Sequence, residues 1–211
     1  MTKIKKYMSV FIMALILDSF LTACSILKKP EPEKQYFLTV LAPQSSNLSP
    51  NLPIMVVDRP TANAPFNTNK ILVIQPFQEI VPLPGVSWSE AIPQMVQQLL
   101  VEHFQTGKLV VPLSRENGGL RAAYVLQTEV RDFQVADWQG KPTVTVTLQA
   151  NYIDLESRKL IFSRIFKQQI PIANNDVTTV IQGFQQAVTL MFKDISAAVQ
   201  QSQGRKLLVA E

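Results

Sequence analysis

The residue best placed to do chemistry is Cys24, the only cysteine of 211 residues, which follows Leu21-Thr22-Ala23 at the end of a basic and then apolar N-terminus. A thiolate is a natural nucleophile for taking up a lipid as a thioether, and a cut before Cys24 frees its α-amine for a further acyl chain. The upstream segment has the three parts of an export leader: Lys3, Lys5 and Lys6 as a positive n-region, Tyr7 to Leu17 as an apolar h-region, and Ala23 as the small residue before the cut. Two other readings compete. Cys24 as an ordinary buried thiol is one, since free cysteine is among the most buried residue types. The other is a permanent membrane span, but Tyr7 to Cys24 falls short of the roughly 20 apolar residues required, and Asp18 inside it costs about 2.5 to 3.5 kcal/mol on insertion scales. A cleaved and lipidated leader is the preferred reading.

These four residues resemble the bacterial lipobox, with leucine at minus three, a small residue at minus one and cysteine after the cut. The resemblance implies cleavage between Ala23 and Cys24 and a diacylglyceryl group on the Cys24 sulfur. Ser25, rather than aspartate, follows the cysteine, and Gram-negative sorting rules then imply passage to the inner leaflet of the outer membrane. At about 0.8 kcal/mol per buried methylene one acyl chain attaches marginally, whereas three hold essentially permanently. The expected organisation is a leader over 1–23, a lipidated tether over 24–34, one domain over 35–203 and a tail over 204–211.

Composition narrows what such a domain does. The leader's three lysines and one aspartate account for +2 of the formal charge of +4, so the mature chain carries only +2. No basic run interleaves with aromatics, so nucleic acid is not an expected partner. One histidine and one cysteine leave no zinc site of the usual type, and no metal or cofactor is expected. There is no G-x-S-x-G elbow, phosphate-binding loop or dinucleotide fingerprint among the seven glycines. Asp132, Asp137, Asp154 and Glu156 read as turn or solvated strand residues. His103 reads as a partly buried histidine near a helix C-terminus, because no nearby motif supplies a catalytic partner. The chain is expected not to be an enzyme.

The elements that position these residues follow from periodicity. Pro30 and Pro32 keep the tether extended. Tyr36 to Leu41 is the first predicted strand, and Gln44 to Pro53 a polar loop. Ile54 to Val57 and Lys70 to Gln75 are short strands separated by a long loop from Asp58 to Pro65, with Pro76 ending the second. Pro82, Pro84 and Gly85 are expected to break the chain before a helix, with Ser87 and Glu90 at capping-box spacing and Ser89 as the alternative N-cap. Ile92, Val96, Leu99, Leu100 and His103 form its apolar stripe, against Gln94, Gln97, Gln98 and Glu102. Lys108 to Val111 is predicted as a strand ended by Pro112, and Arg115 to Gly119 as a turn.

From Arg121 the pattern becomes a meander. Tyr124, Leu126, Thr128 and Val130 alternate with polar residues, and a bulge near Arg131-Asp132 is needed to return Phe133 and Val135 to the core. After a turn at Trp138 to Pro142, Val144, Val146, Leu148, Ala150 and Tyr152 form the second strand and Leu160 to Ile170 the third. Asn174, Asn175 and Asp176 are successive N-cap candidates for a final amphipathic helix through Val199, in which Gly183 points to close packing. Its glutamine-rich side reads as solvated surface. The fold class predicted is α+β: a mixed, mainly antiparallel sheet with two amphipathic helices packed on it.

Several strings in this order resemble the ABC-type transport auxiliary lipoprotein family, which includes the PqiC lipoproteins. They are Tyr36-Phe37-Leu38 after the lipobox, Arg59-Pro60-Thr61-Ala62 leading to Thr68-Asn69-Lys70-Ile71, Trp88-Ser89-Glu90 with Leu99-Leu100, Tyr124-x-Leu126 to Arg131-Asp132-Phe133, and the closing helix. The resemblance implies an outer-membrane dock for an ABC transporter whose substrate-binding subunit is of MCE type, moving lipid between membranes, with homo-oligomeric rings in some members. It marks Arg59, Thr68 and Trp88 as interface or motif positions. Arg59 is offered as either a subunit-interface residue or a structural one, and Trp88 as either an interface residue or a staple of the helix start onto the core.

Overall fold

Alternating apolar residues in the middle of the chain build one long strand to which the rest of the sheet pairs. The computed structural model describes residues 32–40, 52–107, 110–114, 121–138 and 140–209, and all its elements lie in the unit Glu33–Glu211. Cys24, Ala23, the rest of the leader, most of the tether, the polar loop up to Asn51, the Arg115–Gly119 turn and the last two tail residues lie outside the described residues.

Nine strands form one mixed sheet among the described residues: β1 (Lys34–Tyr36), β2 (Ile54–Val57), β3 (Thr61–Ala62), β4 (Lys70–Ile74), β5 (Ile80–Trp88), β6 (Val111–Ser114), β7 (Tyr124–Trp138), β8 (Lys141–Asp154) and β9 (Lys159–Pro171). Two helices, α1 (Ile92–Thr106) and α2 (Val177–Val209), complete the α+β fold. One edge of β7 pairs antiparallel with β8 from Tyr124↔Asp154 to Trp138↔Lys141. Its other edge is shared by three parallel strands: β2 at Tyr124–Leu126, β3 at Glu129–Val130 and β4 at Gln134–Ala136. Beyond β2 lies β6, beyond β4 lie β5 and β1, and beyond β8 lies β9. The register breaks between Val130 and Asp132, which is the predicted bulge, and it returns Phe133 and Val135 to full burial.

Both helices bury their apolar stripes in one core on one face of this sheet. Val144, Val146, Leu148, Ala150 and Tyr152 of β8 pack there with Val180, Phe184, Val188, Met191 and Ile195 of α2 and with Ile92, Val96 and Leu100 of α1. Of the three N-cap candidates, Asp176 does the work: its carboxylate accepts the Thr179 amide at 3.0 Å and the Thr179 hydroxyl at 2.6 Å. Those hydrogen bonds hold its carboxyl below the usual range. A Cβ on Gly183 would lie 2.8 Å from side-chain carbons of both Val144 and Ile172, so the glycine marks the place where α2 presses on the sheet. No helix among the described residues is long and apolar enough to cross a membrane.

Several predicted boundaries are corrected by tertiary pairing. The first strand is Lys34–Tyr36, because beyond it the Gln185 side chain captures the Thr39 backbone, accepting its N–H at 3.0 Å and donating to its carbonyl. Gln185 thus pins the incoming chain to α2 rather than facing solvent alone. Pro82, Pro84 and Gly85 do not break the chain: β5 runs through them. The ladder with β4 skips from Leu72↔Pro82 to Lys70↔Ser87, and β1 borders β5 only at Val86–Trp88, so both prolines fall where no donor is required. β6 likewise runs through Pro112, on an edge strand paired only with β2. The Asp58–Pro65 loop contains β3 and opens a short 3-10 turn at Ala64–Phe66.

Candidate functional site

The N-terminus of α1 shows how two of the motif residues work. Neither Ser87 nor Ser89 caps it: Ser87 lies inside β5, paired with Lys70 and Gln35, and Ser89 donates its amide to Tyr36 at 2.8 Å, both ahead of the helix start. The N-cap position is Ala91, without a side-chain cap and with proline in the first turn. The carbonyl of Thr68 substitutes, accepting the Ile92 amide at 2.9 Å, while the Thr68 hydroxyl accepts the Lys70 amide at 3.2 Å. Thr68 therefore ties the start of β4 to the start of α1.

Trp88 ends β5 with no exposed surface. Its ring meets Phe133 edge-on at 5.8 Å and Phe184 at 5.2 Å, and those two rings stack on each other at 4.8 Å. A side chain so enclosed offers nothing to a partner. Trp88 is thus a core residue wedged between β7 and α2.

Arg59 has the opposite setting. It is exposed beside buried Pro60, and its Nη2 donates to Gln94 Oε1 at 3.5 Å. Together they open a groove of about 410 Å³, continued along the outer face of α1 by Gln98, Glu102 and Gln105 and closed by Ser114 of β6. Gln97, expected on this polar face, instead turns inward: it is buried and donates its amide to the Val57 carbonyl at 3.0 Å. That bond joins α1 to β2 and so fixes the groove wall. The glutamines recur at helical spacing and are legible as a polar face, but nothing in the sequence brings Arg59 to them.

His103 gains a partner that its sequence neighbourhood does not supply. Its Nε2 lies 2.6 Å from the Ser196 hydroxyl on α2. That hydroxyl donates to the Phe192 carbonyl at 2.6 Å, so its one proton is committed and the histidine nitrogen facing it carries the other. This is the reverse of the arrangement in which a histidine takes a serine proton. Burial lowers the His103 pKa, and a hydrogen bond to the Phe192 carbonyl partly offsets this. Asp154 serves its turn, accepting the amides of Glu156 at 2.9 Å and Ser157 at 3.0 Å.

The back of the sheet carries a polar lattice rather than a site. Arg131 donates to Glu129 at 3.3 Å and to Gln149, and Gln149 continues to Ser163 at 3.4 Å.

Comparison with solved structures places the fold among known ones. A protein of Xanthomonas campestris, XCC0632, superposes with a TM-score of 0.72 at 20% identity, covering 83% of this chain and 99% of that one. The protein CT253 of Chlamydia trachomatis superposes with a TM-score of 0.51 at 9% identity, over 70% and 95% of the two chains. In sequence, a Bradyrhizobium diazoefficiens protein, bll6063, is 26% identical over 159 residues, which span 74% of this chain and 41% of that protein. The profile of the ABC-type transport auxiliary lipoprotein components matches residues 36–196, from the end of β1 to Ser196 on α2. By that match the chain belongs to the ABC-type transport auxiliary lipoprotein component family.

Proposed function

We propose that this chain is a docking or assembly subunit of an ABC transport system with an MCE-type partner, held on the periplasmic face of the outer membrane by lipids on Cys24. The transported cargo in this reading is lipid passing between the two membranes, and the subunit works as a homo-oligomeric ring without chemistry of its own. The observation that carries it is the Arg59 groove: an exposed polar channel of about 410 Å³ lined by Gln94, Gln98, Glu102 and Gln105 on a membrane-system auxiliary fold. Amide-rich walls around one guanidinium suit a protein surface, where adaptable hydrogen bonds and an arginine anchor set the register. The hydroxyl commitment at Ser196 favours a structural histidine over a hydrolytic one.

Crosslinking of the native lipoprotein in cells, with identification of its neighbours, tests the partner. An MCE-domain subunit should dominate, and deleting that subunit should abolish co-purification; neighbours drawn only from unrelated envelope proteins would overturn the reading. Cys24→Ala should give an unlipidated chain that leaves the outer-membrane fraction.

A second reading, direct binding of a lipid or small apolar ligand, draws on an apolar pocket of about 210 Å³ beside His103. That volume falls below the roughly 300 to 1,000 Å³ of ligand sites, and the core between helices and sheet is filled, with Phe133, Phe184 and Leu148 fully buried.

A further inference from the structure

The β4–β5 hairpin ends in a tip that the rest of the fold does not use. Gln75 donates its amide to the Glu79 carbonyl at 2.8 Å to close it. Phe77 and Gln78 at the turn both have φ of 65°, a left-handed pair that hairpins ordinarily fill with Asn-Gly. Phe77 is 100% exposed, and Ile80 beside it 39%. An aromatic ring held fully in water on a strained backbone is a costly arrangement unless something covers the ring.

The same chain carries a hole that fits it. Val40, Val188, Leu190 and Phe192 line the apolar pocket of about 210 Å³, with His103 and Lys193 also on its wall. A cavity of about 150 Å³ accepts benzene, so a benzyl side chain enters this one. Glu79 is the only charged residue from Ile71 to Val86, and exposed Lys193 stands at the pocket. The knob thus carries one negative charge and the hole a positive one.

We propose that Phe77 of one copy inserts into the His103–Lys193 pocket of the next, with Glu79 meeting Lys193. This deepens the ring reading and rests on it. A knob and a hole at different places on one molecule make a heterologous, head-to-tail contact, which generates a closed ring when the rotation closes. An acidic tip is the wrong sign for an anionic bilayer, where basic residues accompany the aromatic, so the occupant is protein.

The test uses the full-length chain in detergent, measured by sedimentation. Phe77→Gly frees the strained turn, so thermal stability should hold or rise while association weakens at least tenfold. Glu79→Lys and Lys193→Glu should each weaken association severalfold, and the two together should restore it. An oligomer undisturbed by Phe77→Gly, or charge reversals that fail to rescue one another, would overturn this contact and leave the ring standing on another surface. A chain that sediments as a monomer throughout would overturn both.

Discussion

Phe77 and Trp88 belong to one hairpin and meet opposite fates: Phe77 is wholly exposed at the tip, and Trp88 is wholly buried at the base. The base is over-determined. Trp88 is held by two aromatic rings, by the Asn69 carbonyl on its amide and by β1 alongside. Past β1 the outer edge of β5 carries no ladder among the described residues, and two prolines occupy it. The difference teaches that this hairpin is a rigid mount at one end and an offered surface at the other. Family-motif residues need not be contact residues.

Truncating the mount should have the largest effect. Trp88→Ala removes a fully enclosed indole and should destabilise the fold by about 3–5 kcal/mol, read as a lower midpoint in urea unfolding, with partner binding lost only through unfolding. Next comes the contact between α2 and the sheet. Gly183→Leu drives side-chain atoms into Val144 and Ile172 and should cost about 1–3 kcal/mol; an unchanged melting temperature would mean that α2 sits less tightly than described.

A smaller effect attaches to His103. Burial lowers its pKa in the fold, so the unfolded chain takes up the proton first as pH falls. Its contribution to stability is full above the unfolded value near 6.5 and is lost as pH drops from there through the folded pKa. His103→Asn should flatten the part of the stability profile that lies below the unfolded value near 6.5. At the Arg59 groove, a surface away from this hairpin, the comparison inverts. Arg59→Ala should change stability by no more than about 0.5 kcal/mol while reducing crosslinking to the partner. Equal loss of stability and binding would erase the distinction between mount and surface.

The sequence made much of the mount legible and little of the surface. Alternation from Tyr124 to Tyr152 dictates the long hairpin, and the phase slip at Arg131 dictates its bulge, because a period of two leaves a strand no other way to keep Phe133 inside. The capping of α1 was illegible: the serines match a local rule, yet β5 runs through Ser87, the Ser89 amide goes to Tyr36, and the Thr68 carbonyl arrives from far upstream. The prolines of β5 and β6 misled for a related reason, since only pairing tells which edge lacks a neighbour. Ser196 and Gln97 carry no signal of their roles, which depend on the faces where α1 meets α2 and β2. Cys24 lies outside the described residues, and the lipidation expected there rests on local pattern alone.

The shared edge of β7 also governs the order in which the protein can assemble. Met55 must wait for Tyr124, 69 positions later, and Leu72 for Gln134, 62 positions later. Until that template emerges, β4 has only its hairpin partner β5, and β2 only the edge strand β6, to cover one side. Loops of that length close before they are rewarded, so refolding should be slow, on the order of milliseconds to seconds, and the nascent first half should depend on a holding chaperone.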